Sequence, residues 1–430
     1  MSPNELPRSR LLFASVAAIL YFSEGLPFGI VNDLLPVYLR VHHVELTTIG
    51  FLSTVASAWT LKVFWSPLID AFGTYRRWIA IAVLAMAMCM MVLAMSPENF
   101  GPAFWTIIAI FAIASATQDL AVDALTIRAT PPELVGPVNS IRVAAYRTAL
   151  IVGGGGLVAL SGVAGWRGSF AVSAAIAVVV LVIALHLPED RDGHMVTQSR
   201  GLAVSGWEGP RDRETPRPRD RQSIIELFRG LLQWLRRPRA GVLLAIVLLY
   251  RLGELAIYTM IKPYWVDRGY SPAEIGTITT VIGVIVSIAG AIAGGAIVAR
   301  IGLYRAMLWL GAAQILSNLG YAIVATTHAG RWAIYGAAIV ENIGYGLGTG
   351  AFLAFLMAIC DRERAATEYA MLTAAFGLTR VLIGTPSGWI AQNAGYASYF
   401  WLTVFLGIPG LILVPFVKER LSESTKPLID

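Results

Sequence analysis

The stretch Ser66-Pro67-Leu68-Ile69-Asp70-Ala71-Phe72-Gly73-Thr74-Tyr75-Arg76 has a partner in Gly295-Ala296-Ile297-Val298-Ala299-Arg300-Ile301-Gly302-Leu303-Tyr304-Arg305. Gly73 and Gly302, Tyr75 and Tyr304, and Arg76 and Arg305 stand at one offset of 229 residues. At nearly that offset Tyr21 matches Tyr250 and Phe170 matches Phe400. Each copy follows one long apolar run and precedes another. Parallel repeats of this kind build one class of membrane carrier around a site between two bundles. A channel or a membrane enzyme has no particular need of one.

Working outward from the two copies, apolar runs of about 20 residues, the length that crosses a bilayer core, recur along the chain. They lie near 12–37, 46–69, 78–95, 103–126, 138–162 and 168–187, then near 240–264, 274–298, 304–326, 333–359, 367–391 and 398–417. The expectation is an all-α membrane protein of 12 transmembrane helices in two pseudo-symmetric six-helix bundles. Composition agrees: 14% of the residues are charged and 56% are apolar, whereas soluble domains carry roughly 25% charged residues. A soluble enzyme is therefore not expected. The run from Leu11 continues through Ile30 without a small-residue cleavage site after a short core, so it reads as the first span rather than a signal peptide. Cys89 and Cys360 sit inside apolar runs and read as small buried side chains, with no disulfide framework.

The net charge of +6 resembles a nucleic-acid signal until it is mapped. Of 60 charged residues, 19 fall between Pro188 and Ala240, so the basicity belongs to one loop and no nucleic-acid partner is expected. With the N-terminus inside, 23 Lys and Arg fall in cytoplasmic segments, five in the opposite loops and five within spans. By the positive-inside rule both termini and the central loop are expected in the cytoplasm of a cell with an inner membrane. Residues 188–222 read as a disordered linker rich in Arg, Asp, Pro and Gly. Ser223–Leu235 then carries Ile224, Phe228, Leu231 and Leu235 at helical spacing, as an amphipathic helix on the inner membrane surface would. The expected domains are 1–187, a linker at 188–239, and 240–430.

These features resemble the major facilitator superfamily, whose loop signature G-x-L-a-D-r-x-G-r is visible in degraded form in both opening copies. Longer strings are similar to the AmpG muropeptide permeases and their acetyl-CoA transporter relatives. They are Leu61-Lys62-Val-Phe-Trp65-Ser-Pro67-Leu-Ile-Asp70, Ala116-Thr-Gln118-Asp119-Leu-Ala-Val-Asp123-Ala, Tyr250-Arg251-Leu-Gly253-Glu254, Glu341-Asn342, Gly346-Leu-Gly348-Thr-Gly-Ala-Phe and Ala366-Thr367-Glu-Tyr369-Ala. Where that group has Tyr-Lys-Leu-Gly-Asp in span 7, this chain has Arg251 and Glu254. The resemblance implies proton-coupled uptake of anhydromuropeptides by alternating access. Acetyl-CoA, siderophore or drug transport, and a non-transporting sensor of the same fold, stay open.

Charges at bilayer depth carry the mechanism, because they are costly there and face a cavity or a partner. Glu24 and Glu254 lie midway along spans 1 and 7 and are read as a proton-coupling pair. Arg251 precedes Glu254 by one turn, so a fixed ion pair is the competing reading. Arg251, Arg380, Glu341 and Asn342 are expected to line a substrate cavity, where a cation can receive an anionic group. Asp70, Gly73, Arg76, Arg77, Asp119, Asp123, Arg142 and Arg147 are expected to form an inner gate, with helix capping as the plainer reading of the same residues. Lys62 is a weaker candidate that can snorkel. The alternating Gly344, Gly346, Gly348 and Gly350, with Gly290 and Gly294, read as close-packing surfaces rather than a phosphate cradle. Pro27, Pro36 and Pro386 read as kinks. The His residues form no metal-binding set. No metal and no cofactor are expected; the expected partners are a small-molecule substrate, protons and the lipid bilayer, for a monomer.

Overall fold

The computed structural model describes residues 5–95, 98, 100–130, 135–187, 234, 237, 239–360 and 365–423. The expected linker and the amphipathic helix at Ser223–Leu235 lie outside these residues, apart from Trp234, Arg237 and Arg239. Among the described residues the chain is helical, with no strand. Nine stretches are long and apolar enough to cross a membrane. Two of them, Val138–Leu185 and Met371–Val417, run to 48 and 47 residues, about 70 Å of helix at 1.5 Å per residue, more than twice a bilayer core. Each is broken at a glycine in the positive-φ region, Gly165 (φ 69°, ψ 173°) and Gly395 (φ 78°, ψ 160°). Each is thus two spans, which makes eleven.

The twelfth is residues 46–71, a series of short helices at Leu46–Gly50, Leu52–Val55, Ser57–Leu61, Lys62–Phe64 and Ser66–Ala71. Ser53, Thr54, Ser57 and Thr60 have side chains that compete for backbone hydrogen bonds. Pro67 stands in the first turn of the last piece, where its missing N–H is not needed. The spans are numbered 1 to 12 in chain order below: span 1 is Ser15–Val41, span 3 Tyr75–Met95, span 4 Pro102–Arg128, and spans 5 and 6 the two parts of Val138–Leu185. Span 7 is Ala240–Asp267, span 8 Pro272–Ile301, span 9 Leu303–Thr327, span 10 Arg331–Ile359, and spans 11 and 12 the two parts of Met371–Val417.

The chain forms two compact units, Met1–Leu34 with Leu61–Gln222, and Leu35–Thr60 with Ser223–Asp430. In the first unit spans 1 and 5 touch backbone to backbone. A Cβ on Gly153 would stand 2.6 Å from the Leu26 carbonyl oxygen, and one on Gly154 would strike the Asp33 side chain. Both helices widen into π-type turns at that contact, Ile30–Leu34 and Ile151–Gly156. Arg76, at the head of span 3, donates to the Leu187 carbonyl at 3.1 Å and so ties that end to the end of span 6.

In the second unit the glycines of span 10 divide between two neighbours. Gly346 and Gly350 meet Ser287 and Ala291 of span 8, and Gly344 and Gly348 meet Ser317 and Gln314 of span 9. Residues four apart share a helix face and those two apart do not, so alternate glycines let two helices approach at once. The core beside them holds Trp234, Tyr250, Phe352 and Phe355. Tyr250 donates to the Met307 carbonyl at 2.7 Å and stacks on Phe352 at 6.0 Å. Arg237 makes two hydrogen bonds to the Glu368 carboxylate, one at 3.0 Å, which fasten the chain entering span 7 to the head of span 11. The segment Leu35–Thr60 packs on spans 7 and 11. Arg40 donates to Asp267 at 2.6 Å and Tyr396 donates to the other oxygen of the same carboxylate at 2.6 Å.

Candidate functional site

Each unit carries its own cluster of buried and half-buried charges. In the first, span 1 brings Tyr21, Ser23 and Glu24 against Gln118, Asp119 and Asp123 of span 4. The i,i+4 spacing of Asp119 and Asp123 sets both acids on one face. Lys62 pairs with Asp119 at 3.4 Å. Arg142, from span 5, pairs with Asp123 at 3.1 Å and lies over the Tyr21 ring at 4.9 Å, while the Tyr21 hydroxyl donates to Asp123 at 3.4 Å. Glu24 is 4% exposed. Its carboxylate feels Asp119 and Asp123 as like charges and Arg142 and Lys62 as opposite ones. Glu24 Oε1 and Asp119 Oδ1 are buried and without a hydrogen-bond partner among the described residues. Three carboxyls thus face two cations. With all five ionised the cluster carries one uncompensated negative charge, which one proton balances.

The second unit holds a cluster of its own. Arg251 grips Glu254 with two hydrogen bonds, one of them at 2.7 Å, and also donates to Thr349 at 2.7 Å. The rings of Tyr345, Phe352 and Phe376 surround its guanidinium at 5.0, 5.7 and 5.8 Å. The Glu254 carboxylate also feels the charge of Arg380. Glu341, 4% exposed, lies in the field of Glu254, Lys262 and Arg251. Lys262 is itself buried in span 7, with its ammonium 4.5 Å from the Tyr258 ring centre. Arg251, Arg380 and Lys262 thus stand near Glu254 and Glu341 in this cluster.

The expected residues are placed unevenly by this geometry. Glu24, Asp119, Asp123 and Arg142 come together in one cluster, with Lys62 as a full member. Arg251, Glu254, Glu341 and Arg380 come together in the other. Asn342 donates to the Ala338 carbonyl of its own helix at 2.8 Å and packs against Gly283. Gly73 has φ 77° and Gly302 φ 80°, so both loop copies turn on a glycine in the positive-φ region. Arg77 is exposed, and neither Arg77 nor Arg147 joins the ion pairs of the first cluster. The Asp70 side chain lies outside the described residues. Sequence reasoning missed Lys262, although its place within the apolar run 240–264 was the available signal. It also missed Gln118, which donates to Ser23; an uncharged pair 95 residues apart leaves no signal in a pattern of charges. Among the described residues no group of His, Cys, Asp and Glu is arranged to hold a metal.

Comparison with known proteins places this architecture. The chain is 29% identical over 423 residues to the anhydromuropeptide permease of Escherichia coli (strain K12), covering 96% of this chain and 80% of that protein. It is 24% identical over 416 residues to putative transporter AmpG 4 of Rickettsia conorii, covering 94% of this chain and 96% of that one. Its fold is similar to that of an inward-facing bacterial homolog of the human lysosomal transporter Spinster, with a TM-score of 0.72, 12% identity and full coverage of both chains. It is also similar to the Escherichia coli xylose transporter XylE, with a TM-score of 0.68, 13% identity, and 98% and 100% of the two chains covered. These neighbours share the 12-helix transporter fold. The Major Facilitator Superfamily profile matches residues 17–384, and the chain belongs to that superfamily of membrane transporters.

Proposed function

We propose that this transporter imports anionic muropeptides across the cytoplasmic membrane by alternating access, driven by protons. The two clusters carry this reading: three carboxyls against two cations around Glu24, and a buried guanidinium in two-point contact with a carboxylate at Arg251. The first suits a site that takes up a proton, and the second a site that takes up an anion. The substrate class rests on the likeness to the anhydromuropeptide permease along 96% of this chain. The excess of Lys and Arg in the loops on the side of the termini supports a cytoplasmic placement of both ends.

Coupling would work through Arg251. An incoming carboxylate competes with Glu254 for the guanidinium, whose planar donors fit a carboxylate in two-point contact. Once displaced, Glu254 is a buried acid without its cation, a state that binds a proton far more readily than a paired one. Glu24, buried beside two further acids, supplies the second protonation site. Asp119 with Lys62 and Asp123 with Arg142 are the ion pairs that would exchange as the first unit's cluster changes its access to water.

The test is uptake of labelled anhydromuropeptide into proteoliposomes under an inward pH gradient. Accumulation that collapses with a protonophore is the expected result. Equal flux with and without the gradient overturns the coupling. Accumulation of acetyl-CoA or a siderophore in place of the muropeptide overturns the substrate. A gradient that moves none of these solutes favours a sensor.

A further inference from the structure

Ser23, beside Glu24 in the chain, and Gln118, beside Asp119, line a cavity of about 20 Å³ within the first unit. Ser173 of span 6 faces the same space, and Met86, Met90 and Phe111 supply apolar wall. Gln118 and Ser173 are 0% and 1% exposed. The Gln118 amide nitrogen donates to Ser23 Oγ, and the single Ser23 hydroxyl proton goes to the Leu20 carbonyl at 2.6 Å. That leaves Gln118 Oε1 and Ser173 Oγ buried and without partners among the described residues. Turning the amide over would relieve this only by taking the Ser23 hydroxyl proton away from the Leu20 carbonyl. Two orphaned polar atoms, one able to donate and one able to accept, border a space that exceeds the roughly 10–15 Å³ one water needs.

We propose that this cavity binds one ordered water, which accepts from Ser173 Oγ–H and donates to Gln118 Oε1, and that Gln118 is thereby a positioning residue for Glu24. The water fixes which end of the amide meets span 1. The amide in turn holds the Ser23–Glu24 rung level with the Gln118–Asp119 rung, and so fixes the spacing of Glu24 from its acidic neighbours. The positioning role rests on the reading that Glu24 takes part in proton coupling; the water itself does not.

The experiment has two arms. The first is a structure of the full-length protein in lipid nanodiscs at a resolution that shows single waters. Density within hydrogen-bond distance of both Gln118 Oε1 and Ser173 Oγ is expected, and a dry cavity overturns the proposal. The second is the pH profile of uptake. Ser173→Val removes one partner and fills the space; Gln118→Met removes the amide and serves where the first variant fails to fold. Each is expected to move the midpoint of the profile by about half a pH unit, a threefold change in proton affinity. An unmoved midpoint in a variant that has lost the water overturns the positioning role. If Glu24→Gln leaves gradient-driven uptake intact, the coupling reading falls, while the density still decides whether the water is there.

Discussion

Removing the Arg251 guanidinium tests the second cluster most directly, because its two members differ in how many partners each would leave behind. Arg251 is 5% exposed and Glu254 3%. Among the described residues Glu254 takes side-chain hydrogen bonds from Arg251 only, whereas Arg251 also reaches Thr349 and lies among three aromatic rings. Arg251→Met therefore strands a buried carboxylate, which costs about 3–5 kcal/mol for a broken buried pair. Glu254→Gln keeps the shape and one acceptor oxygen, and it leaves a cation that retains its hydroxyl and its rings. The amide accepts one of the two Arg251 hydrogen bonds and turns an NH2 toward the other donor, so its cost is about 1.5–3 kcal/mol, the worth of one hydrogen bond to a charged group. The double variant Arg251→Met with Glu254→Gln strands no charge, so it is expected to be more stable than Arg251→Met alone. Thermal unfolding in one detergent, followed by tryptophan emission, gives all three midpoints. Equal losses for the two single variants, or a double variant whose loss is their sum, would refute the argument, since either result means that the carboxylate finds other partners or is not ionised.

Glu24→Gln takes the first cluster from one net negative charge to none, and is expected to abolish gradient-driven accumulation while leaving substrate exchange across the membrane. Uptake measured with and without a pH gradient checks it. In the second unit a Cβ on Gly388 would lie 1.9 Å from the Leu46 carbonyl oxygen, so Gly388→Ala must part spans 2 and 11 at a cost of about 1–3 kcal/mol. Gly336→Ala, on an open face of span 10, is the control and should be neutral or stabilising by up to about 1 kcal/mol; thermal midpoints compare the two. Gly395→Ala places a Cβ in backbone that is essentially reserved for glycine and is expected to cost about 1–3 kcal/mol by the same measurement.

What the sequence made legible was what hydropathy and charge encode. Apolar runs separated by polar loops gave all twelve spans, even where the helices run on through Gly165 and Gly395. The rarity of charge at bilayer depth singled out Glu24, Arg251, Glu254, Glu341 and Arg380. Their grouping was only half legible. Arg251 and Glu254 are one turn apart, so helix geometry announced their contact. The meeting of Glu24 with Lys62 and Asp119 depends on how spans 1, 2 and 4 pack, and packing of that kind is set by shape rather than by any local pattern. Gln118 and Ser23 carry no charge and stand among small residues, which made them indistinguishable from helix filler. The pair formed by Arg40 and Asp267 spans 227 residues of chain and joins two positions that read separately as ordinary loop ends.

Gly165 and Gly395 are themselves 230 residues apart, within a residue of the repeat offset. At both places one residue does the work that a loop does elsewhere, and a single torsion setting replaces a flexible connection. Spans 5 and 6 therefore form one bent lever, and spans 11 and 12 another, each with a single residue at the elbow. Gly302 makes a third elbow of the same setting between spans 8 and 9 (φ 80°, ψ 155°), so for anyone following the transport cycle with spectroscopic labels the number of independent rods falls from twelve to nine. Two labels placed on the arms of one elbow should keep a constant separation through the cycle, and that invariance provides an internal ruler against which every other distance change can be calibrated.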